Sequence, residues 1–183
     1  MAVRIEGYLT QEKLASALRA TVGDRFGGTE LRVSGTKRRW DMGFSDGERR
    51  VVVEFDGDEH YRNTMKIKAD REKDAIAARE HVQVVRIPYW VQLGRVTFPH
   101  FFGFDAEIDQ DFPHGFITTK VFPASYCELG LERFTRELNG LPGQVRDAVV
   151  KSLRERAVEH GLEYVLPSSL VGLLATTRSP GTD

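Results

Sequence analysis

The chain holds one cysteine, Cys127, among its 183 residues. A single cysteine excludes a disulfide within the chain, and equally a zinc site built from cysteines alone. No apolar run reaches the length that crosses a bilayer. The opening residues, Met1-Ala2-Val3-Arg4-Ile5-Glu6, lack the basic-then-apolar order of a secretory leader, so a cytoplasmic address is expected. A dominant charge sign is missing too. Lys and Arg number 26 against 27 Asp and Glu, for a formal net charge of −1. That balance is not the one of a histone-like coating protein. There is no internal repeat and no low-complexity segment.

What is present suits a globular chain. The content is 40% hydrophobic and 29% charged, enough for one good core or for one domain with a smaller appendage. The charges are unevenly placed. Lys37-Arg38-Arg39 and Arg49-Arg50 precede, and Arg62, Lys66, Lys68, Arg71 and Lys73 follow, the segment Val51–His60. The acidic excess lies downstream, from Asp105 to Asp111. A basic rim of this kind suits a polyanionic substrate.

Hydrophobic periodicity predicts a helix over Leu9 to Thr21, with Thr10 as N-cap and Leu14, Ala17 and Leu18 as its apolar stripe. Gly23 and the Gly27-Gly28 pair are expected to end it and open a loop. Strand material then runs from Glu30 to Phe44 and again from Glu48 to Phe55. The turn signal Ser45-Asp46-Gly47 lies between them, as in an antiparallel hairpin. A helix is expected over Ala69 to Val82, starting as early as Thr64, with Ile67, Ala75, Ala78 and Val82 buried and Asp70, Arg71, Glu72, Lys73 and Asp74 on its polar side. Gln83 to Ile87 reads as a β-branched strand stopped by Pro88. A helix between two apolar strands fits a crossover in a mixed sheet. Asp105 to His114 reads as an acidic loop. Cys127 to Leu138 and Gln144 to His160 read as helices parted by Leu141-Pro142-Gly143, and Pro167 to Leu174 as a last short helix. The small polar tail from Thr176 is expected to fray.

The chemistry concentrates in Arg39-Trp40-Asp41 and in Val51-Val52-Val53-Glu54-Phe55-Asp56-Gly57, with His60 beyond. Side chains alternate across a strand. Val51, Val53 and Phe55 therefore share one face, and Val52, Glu54 and Asp56 the other. Trp40, Met42 and Phe44 share a face on the neighbouring strand, which leaves Asp41 on the side of Glu54 and Asp56. Carboxylates ending a buried strand are costly without compensation, and a divalent cation is the usual compensation. Magnesium or manganese takes such hard oxygen ligands. Asp41 and Glu54 are the expected metal ligands, and Asp56, about two residues on at ~3.3 Å each, would ligate directly or through water. A metal so held suits phosphodiester hydrolysis, with His60 as acid, base or donor to the phosphate.

An Asp on one strand followed by Glu54-x-Asp56-Gly57-x-x-His60 on the next resembles the PD-(D/E)XK nuclease superfamily. More narrowly it is similar to a small endonuclease-like family related to very-short-patch mismatch repair endonucleases. The resemblance continues through Asp70-Arg71-x-x-Asp74 and Val84-Val85-Arg86-Ile87, covers about Asp41 to Trp90, and extends loosely to the first helix. It implies an α/β, restriction-endonuclease-like fold: a mixed central sheet flanked by helices over residues 1–104, with a mainly helical C-terminal extension over 105–183. It implies a Mg²⁺-dependent (or Mn²⁺-dependent) DNA endonuclease, with Asp41, Glu54, Asp56 and His60 catalytic and Asp41, Glu54 and Asp56 on the metal. Glu12 takes the place of an accessory acid in some members. Lys37, Arg38, Arg39, Lys66, Lys68 and Arg71 would grip DNA. The superfamily's lysine two residues after the glutamate is replaced by Asp56, which leaves the water-activating group open among His60, Lys66 and Lys68.

Plainer readings stand beside these. Asp56-Gly57 can serve as a turn alone, Glu54 can pair with Arg39 or Arg86, and Asp70, Arg71 and Asp74 can form helix-surface pairs. Arg86 can orient one of the carboxylates. Tyr61, Tyr89, Trp90, Phe98, Phe101 and Phe102 read mostly as core rather than as base-stacking surfaces. Two further functions compete with the nuclease. One is a nuclease fold that binds nucleic acid, or regulates, without catalysis. The other is a subunit whose C-terminal helices dock a second copy or a protein partner.

Overall fold

In the computed structural model of the chain, residues 2–33, 35–111 and 124–175 are described. The expected tail from Thr176, and His114 with its surroundings, lie outside them. A four-stranded mixed sheet has the order β2 (Phe26–Arg32), β3 (Arg39–Asp46), β4 (Arg49–Asp56) and β5 (Gln83–Pro88). The first three strands are antiparallel, while β4 and β5 are parallel. Parallel neighbours need a crossover, and it is made by the short helix α2 (Glu59–Arg62) and by α3 (Thr64–Arg79). A separate parallel pair joins β1 (Val3–Ile5) to β6 (Ile108–Gln110).

The hairpin and the crossover agree with the sequence reading. So does α1 (Gln11–Val22), where the Thr10 side chain accepts from the Lys13 N–H and Leu14, Ala17 and Leu18 are buried. Gly27 and Gly28 do not form a loop; they belong to β2, whose register shifts between Phe26 and Gly28. The expected acidic loop after Asp105 contains β6, because pairing with β1 satisfies its backbone. Helix α4 (Thr97–Phe102) completes the aromatic stretch. Tyr61, Tyr89, Trp90, Phe98 and Phe102 are buried there as core, with Phe101 packed against them.

From Val51 to Asp56 every residue of β4 is buried, since both faces of the sheet are covered. The larger cluster takes Met42, Phe44, Val51, Val53, Phe55, Val85 and Ile87 from the sheet and Leu14 and Leu18 from α1. It also takes Phe134 and Leu138 from α5 (Glu128–Gly140), and Val149, Val150 and Leu153 from α6 (Gly143–His160). Helices α5 and α6 are therefore part of the same core as the sheet. A last short helix, α7 (Gly172–Ala175), follows, and its Leu174 also joins that cluster. The smaller cluster, on the α3 side, holds Val33, Trp40, Val52, Ala77 and Val82.

Trp40 thus parts from Met42 and Phe44, against the simple alternation. The β3–β4 ladder ends at Met42–Val53, and β2 carries Glu30 at φ 53, so the pleat is not continuous past Met42. Gly43 explains the tight centre of this region. A Cβ there would lie 2.5 Å from the Val51 carbonyl oxygen and 2.7 Å from Leu31 Cδ1. Among the described residues, no helix is long and apolar enough to cross a membrane.

Candidate active site

Where the ladder stops, the next two residues, Asp41 and Glu54, replace backbone pairing with side chains. The Asp41 N–H donates to Glu54 Oε1 at 3.3 Å, and the Phe55 N–H donates to Asp41 Oδ2 at 2.8 Å. The strands' own orphaned donors thus draw the two carboxylates together at one strand end. Lys73, from α3, reaches across to donate to Glu54 Oε1 at 2.5 Å, its ammonium 5.2 Å from the centre of the Trp40 ring. Among the described residues, Asp41 Oδ1 and Glu54 Oε2 take no hydrogen bond.

The electrostatics match that crowding. Glu54, 3% exposed, has its carboxyl pushed up to about 7, first by burial and then by the neighbouring Asp41, with Lys73 holding back part of the rise. Asp41 is also raised, chiefly by burial, against the Phe55 N–H, Lys73 and His60, which lower it. Two carboxylates in low dielectric with one ammonium between them are short of positive charge. A hard divalent cation fits this donor set.

Asp56 does not join them. It is 0% exposed and gives its oxygens to other partners. Arg86 Nη1, from β5, donates to its Oδ1 at 2.8 Å and to its Oδ2 at 3.2 Å, and Arg133 Nη2, from α5, donates to Oδ2. Asp56, expected as a third metal ligand, thus also anchors an ion-pair network with two guanidinium groups. Arg86 also donates to Asp74 (2.8 Å from Nη2), and Arg133 to Asp70 (2.8 Å from Nη1).

His60 sits inside this network. Its Nδ1 lies 2.6 Å from Asp70 Oδ2 and 3.1 Å from Asp56 Oδ1. Burial alone would raise the Asp70 carboxyl, but the His60 hydrogen bond and the Arg86 and Arg133 charges outweigh it and hold it down to about 2. Facing the Asp70 carboxylate, Nδ1 is the ring nitrogen placed to donate. Ligand-capable atoms of Asp56, His60 and Asp70 lie within 4.8 Å of one another. Two arginines on the same oxygens also make that group an ion-pair cluster. Nε2 of His60 has no partner among the described residues and is not among the sealed polar atoms.

Helix α3 makes both groups. The Asn63 side chain caps it by accepting from the Met65 and Lys66 N–H groups. Its inward stripe is Ile67, Asp70, Asp74 and Ala77, with Lys73 alongside, half-buried like Asp74. Ala75 and Ala78, expected inside, are exposed. The polar side turns inward because Arg86, Arg133 and Glu54 wait there as partners. Arg86 thus orients carboxylates as expected, both Asp74 and Asp56.

The proposed DNA-gripping residues Lys37, Arg38, Arg39, Lys66, Lys68 and Arg71 are all exposed. Arg38 pairs with Glu72 at 2.6 Å, which sets the Lys37–Arg39 segment against α3 one residue from Lys73. Arg39 faces Glu30 at 3.5 Å. Lys66 and Lys68, two candidates for activating water, point outward. Glu12 is exposed in the first turn of α1 and takes part in none of the site's hydrogen bonds.

Lys73 and Arg133 were missed as site residues. Lys73 had one signal: it shares a helix face with Asp70 and Asp74. Arg133 had another: it stands next to Phe134 on the stripe that continues to Leu138, a core position for a charged residue. In comparisons with protein-family models, with curated proteins and with solved structures, nothing matches this chain.

Proposed function

We propose that this protein is a divalent-metal-dependent endonuclease acting on DNA, built on the restriction-endonuclease-like core that its motif order resembles. The observation that carries this reading is the meeting of Asp41, Glu54 and Lys73 at one strand end. The lysine missing two residues after Glu54 is supplied from α3, in contact with the same carboxylate. That weakens the ground for a nuclease fold without catalysis.

Asp41 and Glu54 would hold the ion, Mg²⁺ or Mn²⁺, through carboxylate oxygens. Such an ion, when bound, contributes Lewis acidity toward a water and a phosphate oxygen. Lys73 Nζ, fixed on Glu54, orients the attacking water and stabilises its deprotonated form. His60 Nε2, with Nδ1 bonded to Asp70, accepts the proton that the attacking water loses, and solvent protonates the leaving oxygen. Lys37, Arg38, Arg39, Lys66, Lys68 and Arg71 supply the positive rim for phosphates.

The test is a cleavage assay in Mg²⁺ and in Mn²⁺ across single-stranded, duplex, mismatched and modified DNA, with RNA alongside. Asp41→Asn and Glu54→Gln should each abolish cutting while circular dichroism stays unchanged. Cleavage at the parental rate by both variants would sink the proposal.

A further inference from the structure

Arg133 lies 77 residues from Asp56 in sequence and is 4% exposed, yet both its terminal nitrogens reach His60 or the carboxylates beside it. Its Nη1 donates to the His60 carbonyl oxygen at 3.2 Å and to Asp70 Oδ2 at 2.8 Å, and its Nη2 to Asp56 Oδ2. Its Nε donates to Glu137 Oε1 at 2.7 Å, one turn along α5. Its guanidinium lies 5.0 Å from the centre of the Tyr61 ring, whose hydroxyl donates to Glu137 Oε2 at 2.6 Å.

The backbone is arranged for the same contact. A Cβ on Gly130 would fall 1.8 Å from the Tyr61 carbonyl oxygen, so α5 presses directly on the turn that carries His60. The Cys127 N–H donates to that carbonyl at 3.0 Å. Arg133 follows Gly130 by three residues, on the same helix face.

We propose that Arg133 is a positioning residue for His60, so that the C-terminal helix α5 completes the site rather than merely covering it. This rests on the endonuclease reading for its chemistry. Arg133 bridges the Asp70 carboxylate that is hydrogen-bonded to His60 Nδ1 and the Asp56 carboxylate 3.1 Å from that nitrogen, and the same guanidinium holds the His60 backbone. Arg133 therefore sets both ends of the residue. It fixes the Nδ1–H tautomer, which leaves Nε2 as the end that meets substrate. A lysine at this position keeps the charge but cannot reach Asp56, Asp70 and the His60 carbonyl together.

The experiment is ¹⁵N NMR of histidine-labelled protein, with His60→Gln to assign the His60 resonances among the 5 histidines. In the parent protein the neutral His60 ring should be the Nδ1–H tautomer with a slowly exchanging proton. Arg133→Lys should give faster exchange and mixed tautomers. Its kcat should fall roughly 10–100-fold, while KM and Mn²⁺ affinity stay within about twofold. An Nε2–H tautomer in the parent protein overturns the proposal without any variant, which covers the case in which Arg133→Lys does not fold. A folded Arg133→Lys with unchanged tautomer and kcat also overturns it. A parent protein that cleaves nothing, yet loses the Nδ1–H signal in Arg133→Lys, defeats the endonuclease reading and leaves the positioning role standing.

Discussion

Lys73 Nζ lies 2.5 Å from Glu54 Oε1, so the crossover helix provides the strand-end carboxylates with a cation that their own strand lacks. Asp56, two residues after Glu54 on the same strand, is turned instead toward Arg86 and Arg133. Lysine and aspartate have thus taken complementary places around Glu54, one from the helix and one from the strand.

Replacing Lys73 by Met should lower kcat by roughly 10²–10⁴-fold, the usual range for removing a group that handles a proton. Mn²⁺ binding, followed by calorimetry, should hold or tighten, because a positive charge leaves the neighbourhood of Asp41 and Glu54. Parental kcat in Lys73→Met would remove Lys73 from the chemistry.

The raised Glu54 carboxyl has a consequence for stability. Its folded value of about 7 exceeds its ordinary 4.5, so the folded state binds the extra proton between those limits. The resulting stabilisation is fully present below pH 4.5 and is lost as pH rises through about 7. The shift sets a ceiling on the order of 3 kcal/mol for this contribution. With chelator present, urea midpoints should fall between pH 5.5 and pH 8, and Glu54→Gln should flatten that fall. Asp70 works the other way: its contribution is fully present above its ordinary 3.8 and is lost as pH falls from there through about 2. An equal slope in Glu54→Gln would show that Glu54 does not titrate in this range. Added Mn²⁺ competes with the same proton, so its affinity should rise with pH across about 7.

Arg86 and Arg38 separate a buried ion pair from a surface one. Arg86→Met leaves buried Asp56 to Arg133 and loosens Asp70 and Asp74, and should cost about 3–5 kcal/mol in urea unfolding. Arg38→Ala removes only an exposed pair with Glu72 and should cost under about 1 kcal/mol. Equal costs would mean that the Arg86 network is not built as described.

The basic rim is testable apart from catalysis. In a Glu54→Gln background, DNA affinity should fall with salt, and Lys68→Ala with Arg71→Ala should reduce the slope by roughly 0.9 for each phosphate no longer neutralised. An unchanged slope would place the DNA path elsewhere on the surface.

Much of this arrangement was legible in the residues themselves. The hairpin, the crossover helix and the next strand follow from local patterns: β-branched runs, an Asp-Gly turn and a helical stretch between two apolar strands. These depend on neighbours a few residues apart, which sequence reports directly. The pairing of Asp41 with Glu54 also followed from strand alternation, although the contact is made by side chains at the end of the ladder. Trp40, by contrast, left the face that alternation assigned to it.

What sequence alone determined, then, was which strand ends carry carboxylates and which helix lies between them. Tertiary structure decided how those charges are shared. A run such as Asp70-Arg71-Glu72-Lys73-Asp74 has the periodicity of a solvated helix face, and nothing within it tells which side meets the sheet. Packing turned Asp70, Lys73 and Asp74 inward because Glu54, Arg86 and Arg133 stood ready to neutralise them. Arg133 arrives from a helix far along the chain, and its partners exist only once the core has closed. Charge compensation in a low dielectric is decided by distances of about 3 Å across space, and spacing along the chain does not encode them.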